Sequence, residues 1–406
     1  MLIFRKKVLI GIMLFIAIII VPIFFLHAQL LQKLPDNPLD GRVLFEKKQC
    51  FHCHTLGGIV GEGVRDLNRE EIGKSFSSLA ARIWNHFPNM DVEFKKKGIK
   101  WPKFDEKELV ELTAFLYFIP YLGDIGDLDN GKALFVSKKC IECHQVGGKG
   151  GAIGPKLDKL KTQVSPLYLA VSMWNHMPQM DKIWNERGIE KPVLTGKDIN
   201  DLAAYIKEAS RETTTERIYL SPGNPNTGEG LFSEKGCIVC HPVRGKSNGK
   251  NNSIESMDLK ISVTGIASLM WRYHSVDIIE AKGVKWPVLS GQEMADLFSY
   301  IYFVRFQDPP GNALAGQKIF NTKRCIYCHS IRSEGGSVGP DLAEVTYENL
   351  SAMAAALLSH APFMKDVLAK EDIDWPYLTS EELGDVFAYL KSMQKTNIKI
   401  GTAPIY

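Results

Sequence analysis

The chain has 406 residues, 45% of them hydrophobic, and its 49 Lys and Arg against 46 Asp and Glu leave a formal net charge of +3. Charges this evenly matched exclude a strongly basic polyanion binder, so no nucleic-acid partner is expected. What stands out chemically is a set of eight cysteines.

In chain order the first element is residues 8–26, nineteen positions without a charge behind Arg5, Lys6 and Lys7. That length suits a bilayer span. A cleaved signal peptide has a shorter apolar core and a small residue at −3, whereas a cut after Ala28 would place Leu26 there. Residues 1–34 are therefore expected to form an uncleaved N-terminal transmembrane helix and juxtamembrane segment, with the basic flank cytoplasmic. The rest would lie on the periplasmic, extracytoplasmic side of a single-pass protein of the cytoplasmic membrane.

Four copies of one unit follow, with a period near 90 residues. Each opens with an amphipathic run ending at a cysteine: GRVLFEKKQC, GKALFVSKKC, GEGLFSEKGC and GQKIFNTKRC. Gly-rich loops follow in three of them, then a segment centred on Trp84, Trp174, Trp271 or Leu358, then a marker: GIKWP, GIEKP, GVKWP and DIDWP. Each closes with an acidic-started amphipathic helix: DEKELVELTAFLYF, TGKDINDLAAYIKEA, SGQEMADLFSYIYF and TSEELGDVFAYLKS. The Gly- and Pro-rich joins give domains at 35–123, 124–214, 215–307 and 308–395, with a tail at 396–406. No strand-like alternation is evident, so the expected fold is all-α: four tandem domains behind one anchor helix.

All eight cysteines fall in Cys-x-x-Cys-His motifs: Cys50/Cys53/His54, Cys140/Cys143/His144, Cys237/Cys240/His241 and Cys325/Cys328/His329. Two thiols at this spacing reach the two vinyl groups on one edge of a porphyrin, and the adjacent histidine is held beneath the iron. Structural zinc would want paired knuckles roughly 12–20 residues apart, and a dithiol redox pair needs no histidine. The motifs therefore imply four covalently bound haem c groups, with His54, His144, His241 and His329 as proximal ligands. A domain near 90 residues has a small core of its own, and a buried porphyrin would supply apolar surface.

Each repeat resembles a class I, mitochondrial-type cytochrome c domain. The resemblance rests on the helix before Cys-x-x-Cys-His, the Gly-Pro-x-Leu segment after it, a methionine segment, and a closing helix with AYI or AYL. It implies a methionine ligand opposite the proximal histidine, and Met90, Met180 and Met364 are the matching positions, 36, 36 and 35 residues after His54, His144 and His329. A proline precedes each (Pro88, Pro178, Pro362) and is expected to end the preceding helix, leaving the methionine on a loop. The rivals are histidines: His86, His176, His274 and His360 occur in all four repeats, so bis-histidine ligation is the simpler single rule. The third repeat has Ile278 where the methionine would be. His274 is its expected substitute, Met270 and Met257 are weaker ones, and an open iron position is the remaining alternative. The resemblance also assigns the Pro155 and Pro340 carbonyls to orienting the proximal histidine; the first repeat has Val64 there and the third lacks the segment.

Trp84, Trp174 and Trp271 are expected to pack on porphyrin or helix core; Trp101, Trp286 and Trp375 read as core and turn. His52 and the run EFKKKGIK read as exposed. The functional expectation is a tetrahaem electron relay, not an enzyme, with no catalytic residue assigned. It would pass single electrons between a membrane redox complex and an extracytoplasmic acceptor, each a redox-protein partner. The alternatives are a reductase working at an open third haem and a haem-bearing subunit of a larger respiratory complex.

Overall fold

The computed structural model describes residues 34–56, 65–67, 75–121, 126–160, 164–211, 223–243, 253–254 and 261–394. The chain forms two compact units, one drawn from 34–72 and 114–306, the other from 73–113 and 307–406. The second repeat and the third up to Phe306 lie in one unit and the fourth in the other, while the first contributes to both. The described residues are mostly helical, with only two-residue strand pairs besides.

In the second, third and fourth repeats the opening helix crosses the closing helix: Leu128–Ser137 on Gly196–Ala209, Pro225–Glu234 on Gly291–Phe303, and Ala313–Thr322 on Ser380–Met393. The crossings are close because each opening helix has a glycine there. A Cβ on Gly131, Gly228 or Gly316 would strike the carbonyl of Asp201, Asp296 or Asp385. The same aspartates reach back to the opening helix, accepting from the backbone N–H of Asp127 at 2.7 Å, Asn224 at 2.8 Å and Asn312 at 2.6 Å. Each of these closing helices starts in a capping box, Thr195 with Asp198, Ser290 with Glu293 and Thr379 with Glu382. That box satisfies two otherwise orphaned amides. It is the physical content of the acidic start seen in the sequence.

The central segments depart from expectation. Pro88, Pro178 and Pro362 do not end helices; they lie inside Phe76–Lys96, Pro166–Arg187 and Leu350–Lys370. Proline has no N–H, so each leaves the carbonyl four residues earlier without its helical donor. A tryptophan from another repeat supplies one. The Trp286 indole donates to the Trp174 carbonyl at 3.2 Å, Trp375 to Trp84 at 3.2 Å, and Trp101 to Leu358 at 2.8 Å. Those carbonyls belong to the residues four before Pro178, Pro88 and Pro362.

The contact is reciprocal. The central Trp174 indole donates to the Pro287 carbonyl, Trp84 to Pro376, and Trp271 to Pro192, each at 2.7 Å. Asn175 holds Leu289 by two hydrogen bonds, and Asn85 holds Leu378 likewise. Within one unit, therefore, the second repeat clasps the third; within the other, the central part of the first clasps the fourth. The third repeat has no central proline, and its clasp partner, the second, is the one repeat whose marker carries Lys191 instead of tryptophan.

The anchor expectation is corrected. Among the described residues no helix is long and apolar enough to cross a membrane. The longest, Pro166–Arg187, has 22 residues but includes Asp181, Lys182, Glu186 and Arg187, and a span must be predominantly apolar. The fold is thus helical without an assigned transmembrane helix, and the single-pass, periplasm-facing placement built on it falls with it. Residues 8–26 lie outside the described residues.

Candidate functional site

The cysteine motifs sit on single turns that the local chain aims. The residue before the first cysteine adopts a left-handed conformation in every repeat: Gln49 (φ 62°), Lys139 (φ 62°), Gly236 (φ 81°) and Arg324 (φ 65°). Only glycine does so without steric cost, so three of four repeats hold a strained residue to set this turn. One residue earlier a lysine ties the turn to the segment after the marker proline: Lys138 donates to the Val193 carbonyl, Lys235 to Val288 and Lys323 to Tyr377. All eight thiols are unbridged and half-buried. Burial pushes Cys140, Cys237 and Cys325 up to about 11 and Cys50 up to about 12. Among the described residues no group of three or more His, Cys, Asp or Glu gathers to hold a metal ion.

On the proximal side the Gly-Pro segment does two things. The Pro155 carbonyl lies 3.1 Å from His144 Nδ1, and the Pro340 carbonyl 3.1 Å from His329 Nδ1. Such a bond fixes the ring so that Nε2 carries the free lone pair. The preceding glycine lies against the ring itself: a Cβ on Gly154 or Gly339 would collide with the His144 or His329 imidazole.

On the distal side the second repeat is the most complete. A cavity of about 470 Å³ is lined by Cys140, Cys143, His144, His176 and Met180, with apolar walls that include Leu157 and Leu202. Its size lies within the usual range for a small-molecule or cofactor site. Both thiols and the proximal ring stand at one place on its lining, and both rival distal residues border the same space. The donor set and the apolar wall fit a porphyrin. His176 and Met180 are one helical turn apart on Pro166–Arg187. His176 Nδ1 lies 2.9 Å from the Ser172 carbonyl, which leaves Nε2 available.

The third repeat is built differently. Its central helix stops at Tyr273, and His274 takes an extended backbone (φ −111°, ψ 138°) before a short helix, Val276–Glu280. His274 Nδ1 lies 3.1 Å from the Met270 carbonyl, and its Nε2 points at His241 Nε2, 3.4 Å away. With both Nε2 atoms turned to one place, His241 and His274 are the residues that would hold a haem iron there, each as a neutral imidazole. Burial, with the adjacent His241, holds His274 below the ordinary histidine range; a ligand must be the neutral ring. Met270 is half-buried, and Met257 lies outside the described residues.

In the fourth repeat His329 is lowered by burial, with the nearby His360 adding to the effect. His360 and Met364 share the helix Leu350–Lys370. In the first repeat His86 and Met90 share the helix Phe76–Lys96 and belong to one compact unit, while Cys50, Cys53 and His54 belong to the other. His52 is exposed, as are Lys95, Lys96, Lys97 and Lys100.

The lining is shared between repeats, which no local sequence pattern shows. Trp271, expected to pack on porphyrin or helix core, borders the cavity of the second repeat. Lys191, in the marker of the second repeat, donates to the His274 carbonyl at 2.9 Å and lies 5.0 Å over the Trp271 ring. The available signal was the missing marker tryptophan in GIEKP.

Two stretches, residues 128–210 and 313–394, match the family model described as Cytochrome c. The second and fourth repeats are therefore cytochrome c domains. Such domains bind haem c covalently and carry electrons by it. No curated protein and no solved structure matches the chain.

Proposed function

We propose that the chain is a tetrahaem cytochrome c relaying single electrons between a redox-protein donor and acceptor, with haem c at all four Cys-x-x-Cys-His motifs. The observation that carries this reading is the second repeat's cavity, which presents both thiols, His144 and two alternative distal ligands to one apolar space. Haem supplies there a one-electron iron couple whose potential is set by axial ligand, burial and second-shell bonds.

The chain's residues divide the remaining work. Cys50 and Cys53, Cys140 and Cys143, Cys237 and Cys240, and Cys325 and Cys328 form the thioethers; His54, His144, His241 and His329 are the proximal ligands. Met90, Met180 and Met364 are the distal ligands of the first, second and fourth sites, with His86, His176 and His360 as rivals, and His274 serves the third. His274 is supported by its ring facing His241 at 3.4 Å. The Pro155 and Pro340 carbonyls hold two proximal rings in the ligating orientation. The test is the mass of the purified full chain, expected to exceed the polypeptide by four haems; a chain with fewer, or with haem lost on acid-acetone extraction, overturns the reading. Low-temperature EPR with near-infrared magnetic circular dichroism then counts His–Met and His–His haems.

A further inference from the structure

Within the unit that holds the second and third repeats, one short segment belongs to two sites. Trp271 borders the second repeat's cavity; three residues on, His274 faces His241 of the third. The helix on the other side of the clasp, Pro166–Arg187, does the same. Trp174 stands edge-on to the His274 ring, centroids 5.8 Å apart, and two residues on, His176 borders the second cavity. Lys191 closes the figure, bonded to the His274 carbonyl and seated over the Trp271 ring. Trp271 is buried, held by its indole bond to Pro192 and by an edge contact with Trp184 at 5.7 Å, a residue that also borders the cavity.

We propose that the second and third haem sites form one coupled pair, with Trp271 as a positioning residue shared by both. This rests on the reading that haem c is held at Cys140/Cys143 and Cys237/Cys240. The physical argument is packing. A dense interior transmits displacement from one wall to the next instead of absorbing it. The turn between Trp271 and His274 is held by the His274 amide bond to the Met270 carbonyl at 3.2 Å and by the Lys191 bond to the His274 carbonyl. A change on the cavity side of Trp271 is therefore delivered to the ring that faces His241. The path runs through the clasp between repeats, not through either repeat's own core, so neither site is complete in its own repeat.

The test is Trp271→Leu in the full-length holoprotein, leucine being what the fourth repeat carries at this place as Leu358. Paramagnetically shifted haem-methyl resonances and EPR g-values are recorded, with the second haem identified by its response to whichever of Met180→Leu and His176→Ala changes its ligation, and the third by its response to His274→Ala. The expected result is a shift in the signals of both haems, with four haems still attached and the other two signals unmoved. Should the leucine variant fail to fold, Lys191→Met, which removes the ammonium and keeps the stem, is expected to move the same two signals. Movement confined to one haem, or spread equally over all four, overturns the pairing. A chain that lacks haem at Cys140/Cys143 or Cys237/Cys240 overturns the pairing and the functional reading together, and haem-peptide mass spectrometry tells this failure from the other.

Discussion

The second and third repeats are neighbours with the same opening helix, closing helix and capping box, yet they present their distal residues by opposite means. In the second, a proline sits inside a helix of 22 residues, and His176 and Met180 stay on one continuous rod. In the third there is no proline, and the helix ends at Tyr273. The rule that proline breaks helices thus runs backwards here. The carbonyl that Pro178 deprives is taken by Trp286, so the proline's loss is made good by another repeat. The third repeat has no such proline, and its partner offers Lys191, which caps the His274 carbonyl where the helix has already stopped. A helix break depends on what satisfies the freed backbone group, not on the proline alone.

The strongest way to break this comparison is to remove the ring that the helix break releases. His274→Ala is expected to convert one low-spin haem to high spin and leave the signals of the first and fourth haems in place, read by EPR and cyanide binding. If His274 is not a ligand, all four stay low-spin. Next comes the clasp itself. Trp174 is buried, stacks on Trp286 at 4.4 Å and donates to Pro287. Trp174→Ala is expected to destabilise the chain by about 3–5 kcal/mol, the usual range for a buried tryptophan, seen as a fall in the denaturation midpoint. Trp286→Phe keeps most of the ring packing but strands the Trp174 carbonyl, for about 1–3 kcal/mol. A loss near zero would mean that Pro178 does not need its indole donor.

Much of each repeat in isolation was legible. The cysteine motifs and the opening and closing helices follow from residues within a few turns of one another, whereas the Pro155 and Pro340 contacts with His144 and His329 were implied by the family resemblance. What was not legible is the clasp, because Trp174 and Pro287 are 113 residues apart and Trp84 and Pro376 are 292 apart. A local reading of Pro178 sees only the missing N–H and ends the helix. The compensating donor is a tryptophan whose own context, GVKWP, reads as an ordinary turn. The exception in GIEKP was visible but mute, since nothing in the third repeat's sequence says that its partner is the second.

A smaller effect separates the two repeats electrostatically. Asp201 and Asp296 cap equivalent opening helices, but Asp201 pairs with Lys197 at 2.6 Å while Asp296 accepts from Gln292 at 2.9 Å. Burial alone would raise Asp201; its bonds from the Asp127 amide, Lys197 and Asn130 outweigh that and hold it below the usual aspartate range. A depressed folded value means that the stabilisation is whole above the unfolded pKa near 3.9 and is lost as pH falls through the lower folded one. Asp201→Asn is expected to cost about 1–3 kcal/mol at neutral pH and to flatten the acid limb of a melting-temperature profile below about pH 4. A limb as steep as that of the parent would remove Asp201 from the account.

The smallest effect lies in the turn before the first cysteine, where the two repeats again differ by one residue. Lys139 holds φ 62° and Gly236 holds φ 81°. A left-handed conformation costs an ordinary L-residue about 1–2 kcal/mol. Against that, a glycine adds about 0.5–1 kcal/mol of unfolded-state entropy. Lys139→Gly should therefore stabilise by about 0–1.5 kcal/mol, the strain relieved less the entropy added. The reverse exchange is not its mirror image. A Cβ at 236 would come within 2.7 Å of Val284 Cγ1, so Gly236→Lys must displace that side chain as well as adopt the strained backbone. Its cost should exceed the gain from Lys139→Gly. Equal and opposite shifts in the two denaturation midpoints would show that backbone strain alone matters and that the Val284 contact carries no weight.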